Sequence, residues 1–533
     1  MKKGEIYEGV ITKYDFPNKA SLMYEDRKVI IKGALLGQKV RFMLTKKKSG
    51  TGEGKLLEVL EKSPLEDAVP SCPHFELCGG CSYQTMSYEN QLKLKEQIVR
   101  QLIGKYIGEG DVDDGQTKAL NTFSSLIENC VFTEPVGSGT VGSEQICSDE
   151  GKKHNGNIVA QHIWEGIVAS PLRYEYRNKM EFTFGDEYKD GPLALGLHKR
   201  GGFYDILNVC GCRIVGKEWS AILDYALNYF KDKGVPYYHK MRHEGILRNL
   251  VVRQSFATKE FLVNLVTSTQ WDKYGFNKES ILREFVDGLV LLADSIGFDG
   301  SMAGILYTEN DSLGDVVACD NMQVPFGKDY ITEEILGLKF KISPFSFFQT
   351  NTKGCEVLYA KAREYIMSGT VMGNGLNENA VISGAKGKVI FDLYSGTGTI
   401  AQMLAPVAKK VIGIELVEEA VEAAKENAKL NNLNNCEFIA GDVLKAIDLV
   451  EDKPDVIILD PPRDGINPKA LEKILAFNVE EMVYISCKPT SLARDLEIIT
   501  NRGYEVKRAC AVDEFPGTGH VESIVLLSKL HTK

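Results

Sequence analysis

Hydrophobic and polar positions change their rhythm three times along this chain. Over residues 1–60, short β-rich runs (Glu5-Ile-Tyr-Glu-Gly-Val-Ile11, Arg27-Lys-Val-Ile-Ile-Lys-Gly33, Gln38-Lys-Val-Arg-Phe-Met-Leu44) are punctuated by glycines at 4, 9, 33 and 37. Several short strands with tight turns in so few residues predict a small β-barrel of oligonucleotide-binding type over 1–62. A cysteine-rich loop (72–81) follows, then a helix over about 87–106. A second β-rich region runs from about 170 to 345, with strands at 179–184, 247–253 and 261–266. From 388 onward the apolar strands Val389-Ile-Phe-Asp-Leu393, Lys410-Val-Ile-Gly-Ile-Glu415, Asp455-Val-Ile-Ile-Leu-Asp460 and Met482-Val-Tyr-Ile-Ser486 alternate with helical segments. That alternation predicts a doubly wound, mostly parallel sheet. The expected fold is a multidomain α/β protein: the barrel, a central mixed α+β domain over 63–345, and a Rossmann-like sheet over 346–533. Residues 107–160 and 367–386 lack periodicity and are expected to be inserts, the first mobile and carrying Cys130 and Cys147 as bystanders.

Composition narrows the class. With 533 residues, 44% hydrophobic and 26% charged, the chain reads as an ordinary soluble protein. No apolar run approaches the ~20 residues needed to span a bilayer, and the start Met1-Lys-Lys-Gly-Glu-Ile-Tyr7 has no apolar signal core. A cytoplasmic location without membrane partners is expected, and a monomer. The net charge of −10 argues against nonspecific coating of nucleic acid, yet residues 1–60 carry 13 Lys/Arg against 7 Asp/Glu. Such a face either binds phosphates or is simply solvated. Twelve cysteines in a cytosolic chain of this length do not suggest a disulfide framework.

The candidate chemistry gathers in the last third. The turn Ser395-Gly396-Thr397-Gly398-Thr399 follows the first strand of the Rossmann-like region, where glycines let a ligand approach the backbone. Glu415 ends the second strand, where a carboxylate accepts both ribose hydroxyls of an adenosine; Asp442 ends the next, where an acid meets the adenine edge. Position 401 is Ala, so the dinucleotide pattern Gly-x-Gly-x-x-Gly is broken. A nucleoside without a pyrophosphate, such as S-adenosylmethionine, fits better than NAD. Cys487 sits just past an apolar strand, between Asp460 and Glu522 in sequence, which points to covalent catalysis.

Cys72, Cys78 and Cys81 place three thiols in ten residues around a Gly-Gly turn, a strong metal-site signal. Cys210 or Cys212 is the obvious fourth donor, with His74 a further option; spacing alone does not separate an iron–sulfur cluster from zinc. The stretches Arg173-Tyr-Glu-Tyr-Arg-Asn-Lys179 and His198-Lys-Arg-Gly-Gly-Phe-Tyr204 interleave basic and aromatic residues, as suits a single RNA strand with splayed bases. The alternative is that these aromatics pack the core.

With these residues in view, the chain resembles the RNA uracil-5 methyltransferase family over most of its length outside the two inserts. The motifs that carry the resemblance are Ser343-Pro-Phe-Ser-Phe-Phe-Gln-Thr-Asn351, the glycine-rich turn, Asp460-Pro-Pro-Arg-Asp-Gly465, Ser486-Cys-Lys-Pro489 and Gly519-His-Val-Glu522. The resemblance implies that Gln349, Tyr394, Glu415 and Asp460, with Thr399 and Asp442 of the same pocket, contact S-adenosylmethionine or the target base. It implies Cys487 as nucleophile, Glu522 as proton acceptor, and a final strand antiparallel to the one bearing the nucleophile. It further implies a TRAM-type barrel and a [4Fe-4S] cluster on Cys72, Cys78, Cys81 and Cys212. Barrel and cysteines together favour 23S ribosomal RNA over transfer RNA. The family's Ser-Cys-Asn-Pro reads Ser-Cys-Lys-Pro here, so Lys488 either lowers the thiol's pKa or points to solvent.

The chemistry asks for such groups on its own account. Uracil C5 is a poor nucleophile until a thiolate adds at C6, and a base must then remove the C5 proton. An ordinary thiol is mostly protonated at neutral pH, so the site is expected to favour the thiolate. Other readings are an iron–sulfur RNA-binding or assembly protein with a vestigial methyltransferase domain, and methylation of another base.

Overall fold

The computed structural model describes residues 1–531 except 18, 109–162, 203, 296, 315–318 and 369–386. Apart from 107, 108, 367 and 368, the two expected inserts lie outside the described residues, as do Cys130 and Cys147.

The amino-terminal region is a six-stranded sheet. Ile6–Val10 pairs with Lys39–Lys48, followed by Thr51–Glu61, Arg27–Lys32, Lys19–Tyr24 and Lys13–Asp15. Two strands consecutive in the chain, Ile6–Val10 and Lys13–Asp15, stand at opposite ends of that order, so the sheet curls back on itself into a barrel-like form. At the bend, the Ile11 amide donates to Gln38 and the Thr12 amide to Ser21. Val29, Ile31, Val40, Phe42 and Leu44 fill the interior. Gly54 makes room for Phe42, whose ring would lie 2.7 Å from a Cβ there. Much of the local positive charge is spent within the barrel. Lys39 pairs with Glu61, Arg41 with Glu8 and Glu58, and Lys46 with Glu53.

The central region holds a seven-stranded sheet in the order Ile206–Asn208, Leu193–His198, Lys179–Asp186, Leu247–Gln254, Glu260–Thr267, Ser301–Glu309, Asn321–Gly327. Helices Lys217–Lys233 and Lys278–Ser295 cover it, and their buried Trp219, Phe230 and Phe285 join Phe182 and Phe261 in one core.

The carboxy-terminal sheet has eight strands: Cys436–Ala440, Lys410–Glu415, Val389–Leu393, Val456–Leu459, Glu481–Ser486, Glu522–Lys529, Tyr504–Val512 and Trp164–Val168. The first five run parallel. Their near-continuous apolar runs suit a sheet covered on both faces. Alternate residues do the two jobs: Ile390, Val456, Ile458 and Val483 pack under helix Thr352–Ser368, while Phe391, Ile457, Leu459 and Met482 pack under Pro468–Ala476 and Pro489–Asn501. Helix Tyr88–Ile103, capped by Ser87 accepting from the Asn90 amide, packs in this second layer, and its apolar core continues into the barrel. Lys95 and Asp513, both fully buried, lock it there at 2.6 Å. A buried ion pair of this kind is costly to break, because it strands the remaining charge.

Candidate active site

The strand order reverses between Val389–Leu393 and Val456–Leu459, and a doubly wound sheet binds ligands in the crevice beyond that point. A cleft of about 2170 Å³ opens there. It brings together all eight residues expected to bind cofactor or do chemistry: Gln349, Tyr394, Thr399, Glu415, Asp442, Asp460, Cys487 and Glu522.

One side of the cleft is built from backbone turns. Tyr394 takes a left-handed conformation (φ 69°), unusual for a bulky residue, and with Ser395 donates its amide to the Ile414 carbonyl. Gly398 (φ 73°) is hemmed in by Phe438, whose ring would lie 2.5 Å from a Cβ. Glu415 accepts from the Gly396 amide at 2.9 Å and the Val417 amide at 3.0 Å. Asp442 caps the helix Val443–Ala446, accepting from the Leu444 amide at 2.8 Å. These carboxylates are oriented by donors of their own loops, with acceptor capacity left for hydroxyl or amino groups. Thr399 opens the helix Thr399–Leu404, and the Gln349 side chain hydrogen-bonds the buried Tyr359 hydroxyl.

The other side is different in kind. The final strand runs antiparallel to Glu481–Ser486 with Ser486 opposite Ser523, so the next residue of each, Cys487 and Glu522, meet at the mouth. Burial, then the charge of Asp460, pushes Glu522 up to about 8; burial pushes Asp460 up to about 7. Behind the glycine-rich turn and outside the cleft lining, Asp392, its Oδ2 accepting from the Ala401 amide and its Oδ1 without a partner, is pushed up to about 8 by burial and then Asp460. Cys487 is pushed up to about 12, by burial first and then by Glu522 and Asp460, with Arg463 pulling the other way. In the ligand-free protein burial, and after it the neighbouring Glu522 and Asp460, favour the protonated thiol. Lys488 turns to the exposed Asp464 (3.7 Å), leaving Arg463 as the cation that acts on the thiol. Sequence reasoning quoted Arg463 within Asp-Pro-Pro-Arg and gave it no role; its place in that motif was the available signal.

The cysteine loop lies against the same cleft, whose wall includes Gly80 and Cys81. Cys212 faces the other three thiols, and burial followed by Cys81, Cys72 and Cys78 pushes it up to about 12. Cys210 instead hydrogen-bonds Asp224 at 2.8 Å. Among the described residues, no three His, Cys, Asp or Glu side chains converge closely enough to hold a metal ion. The interleaved aromatics divide: Tyr176 is core, whereas Tyr174 and Tyr204 are exposed.

The family model for tRNA (uracil-5-)-methyltransferases matches residues 369–530. An uncharacterized RNA methyltransferase of Clostridium tetani is 43% identical over 532 residues, covering 100% of this chain and 99% of its own. Another, from Caldanaerobacter subterraneus subsp. tengcongensis, is 43% identical over 529 residues, covering 99% and 100%. The chain belongs to the uracil-5 RNA methyltransferase family. Among solved structures, the Pyrococcus abyssi tRNA (uracil-54, C5)-methyltransferase in complex with S-adenosyl-L-homocysteine shares the fold, with a TM-score of 0.64 at 22% identity over 98% of this chain and 100% of its own. Among the described residues, no helix is long and apolar enough to cross a membrane.

Proposed function

We propose that this methyltransferase converts a uridine in 23S ribosomal RNA to 5-methyluridine through a covalent adduct between Cys487 and C6. The observation that carries the reading is the antiparallel register that sets Cys487 against Glu522 in a cleft shared with Asp460 and Arg463. S-adenosylmethionine suits the other side, where Glu415 and Asp442 offer acceptors to an adenosine and half-buried Asp460 suits a cation; bound there, it supplies the methyl group and a positive charge. The Cys487 thiol releases its proton to solvent, with Arg463 favouring the thiolate; the sulfur then adds to C6, and the electrons of the broken C5–C6 π bond move to C5 and the C4 carbonyl. Once C5 carries the methyl group, Glu522 takes the C5 proton, and the electrons of that C–H bond expel the thiolate from C6. Glu522 suits the task in its ionised form: burial, then the charge of Asp460, pushes its carboxyl up to about 8, which makes the carboxylate a stronger proton acceptor than an ordinary one.

We also propose that Cys72, Cys78, Cys81 and Cys212 hold a [4Fe-4S] cluster that ties the cysteine loop to the central sheet. Four thiols drawn from two distant segments suit a soft metal, and zinc is the competing occupant. Barrel and cysteines support ribosomal RNA. A transfer-RNA uridine is the second reading, favoured by the name of the matching family model and by a transfer-RNA enzyme sharing this fold along its whole length.

The test is methyl transfer from labelled S-adenosylmethionine to unmodified 23S, 16S and transfer RNA, read by nuclease digestion and mass spectrometry. 5-Methyluridine in 23S RNA alone is expected, with Cys487→Ala inactive and still able to bind S-adenosylmethionine. Product on transfer RNA alone favours the second reading, and a fully active Cys487→Ala sinks the covalent mechanism. Iron, acid-labile sulfide and zinc content of the purified protein decides the occupant of the cysteines.

A further inference from the structure

The segment Asp513–His520, which leads into Glu522, is gripped by parts of the molecule far away in sequence. From helix Tyr88–Ile103, Lys95 Nζ donates to Asp513 at 2.6 Å and to the Phe515 carbonyl at 3.0 Å, and Gln91 accepts from the Gly517 amide at 2.8 Å. From the cysteine loop, the Ser82 and Tyr83 amides both donate to the Gly517 carbonyl. From the central region, the Tyr176 hydroxyl donates to the Pro516 carbonyl at 3.0 Å. The barrel supplies the fourth hold. Phe16, 5% exposed, sets its ring edge-on to His520 at 6.3 Å and 77°, and Phe515 meets the same imidazole at 6.2 Å and 80°. Two residues before Phe16, the Tyr14 hydroxyl accepts from the Tyr83 hydroxyl at 3.1 Å. His520 lines the cleft that holds Cys487, Arg463 and Glu522.

We propose that Phe16 of the amino-terminal barrel is a positioning residue of the methyl-transfer centre. Together with Phe515 it clamps the His520 imidazole into the cleft wall, so that barrel and catalytic sheet complete one active site. The inference rests on reading the cleft as a uracil-5 methylation site. Edge-to-face ring pairs fix orientation as well as burying area, and here two of them bracket one imidazole. Burial, then Arg463, Lys95 and Arg177, pushes His520 down to about 4, so the ring stays neutral at working pH. A neutral imidazole offers one donor and one acceptor to a nucleotide entering the cleft. In this arrangement the barrel acts on turnover, whereas a barrel that merely tethers RNA acts on affinity.

The test uses full-length Phe16→Ala and Phe16→Leu, with kcat and KM for RNA measured alongside an NMR titration of the His520 ring, assigned through His520→Gln. In Phe16→Ala, kcat should fall about 10-fold while KM for RNA stays within about 2-fold. Leucine, which restores apolar cover without the ring edge, should recover part of kcat. The His520 resonance, static above pH 5 in the parent, should titrate at higher pH in Phe16→Ala because water reaches the ring. A raised KM at unchanged kcat overturns the proposal, as does an identical His520 titration in all three proteins. If circular dichroism shows that the alanine variant is unfolded, the leucine variant decides by the same two readouts. If the parent methylates no RNA, the functional reading falls, and the titration alone still decides the clamp.

Discussion

The two sides of the cleft solve opposite problems. On the glycine-rich side, half-buried Glu415 and exposed Asp442 already accept backbone hydrogen bonds at 2.8 to 3.0 Å. On the cysteine side, half-buried Asp460 and Cys487 gather about buried Glu522, and each of the three is pushed toward its protonated form. One side is finished before any ligand arrives. The other is unstable as charged groups until a cation or an RNA base completes it, which is how a site stores reactivity at the expense of stability.

Breaking the reactive side should have the largest effect. Glu522→Gln keeps shape and removes the base, so turnover should fall by roughly 10²–10⁴-fold. Because the thiol is no longer expelled, a protein–RNA adduct should persist on a denaturing gel, and absence of that adduct would remove Glu522 from the proton step. Breaking the finished side should be gentler. Glu415→Ala should weaken S-adenosylmethionine binding by about 10- to 100-fold, the equivalent of one or two lost hydrogen bonds to a charged group, with KM for RNA unaffected in calorimetry and kinetics.

The pH dependence separates the sides more finely. Asp392, Asp460 and Glu522 sit at about 8, 7 and 8, above their ordinary values. Raised carboxyls add stability that is complete below the unfolded-state value near 4 and is lost as pH rises through 7 to 8. Asp460→Asn should therefore flatten the fall in Tm of the ligand-free protein between about pH 5 and 8. The smallest effect is expected at Lys488. Its amine pairs with exposed Asp464, so Lys488→Asn should change kcat by less than about 2-fold, and a larger loss would show that the amine reaches the thiol after all.

Legibility followed the range of the interactions involved. Strands at 389–393, 410–415 and 456–459 were visible as apolar runs because sheets buried on both faces leave no polar alternation to confuse the reading. Gly396, Gly398 and Glu415 were legible because turn geometry and ligand approach act within a few residues of one another. Helix Tyr88–Ile103 was expected from its pattern, yet nothing local announced that Lys95 would bury itself against Asp513. Trp164–Val168 closing the edge of the last sheet was equally silent, since a short strand's partner lies outside its own pattern. The surroundings of the thiol were equally silent: its motif marked a candidate nucleophile, and only the packed site shows the burial and the acids around it.

Local chemistry thus wrote the parts: which segments are strands, where the backbone must turn tightly, and which thiols and acids are available. Distance in space belonged to the folded chain. The antiparallel register brings Cys487 to Glu522, Cys210 finds Asp224 as its partner, and the barrel closes on His520 through Phe16. Desolvation and charge coupling depend on every neighbour within a few ångströms, and those neighbours lie tens to hundreds of residues away along the chain.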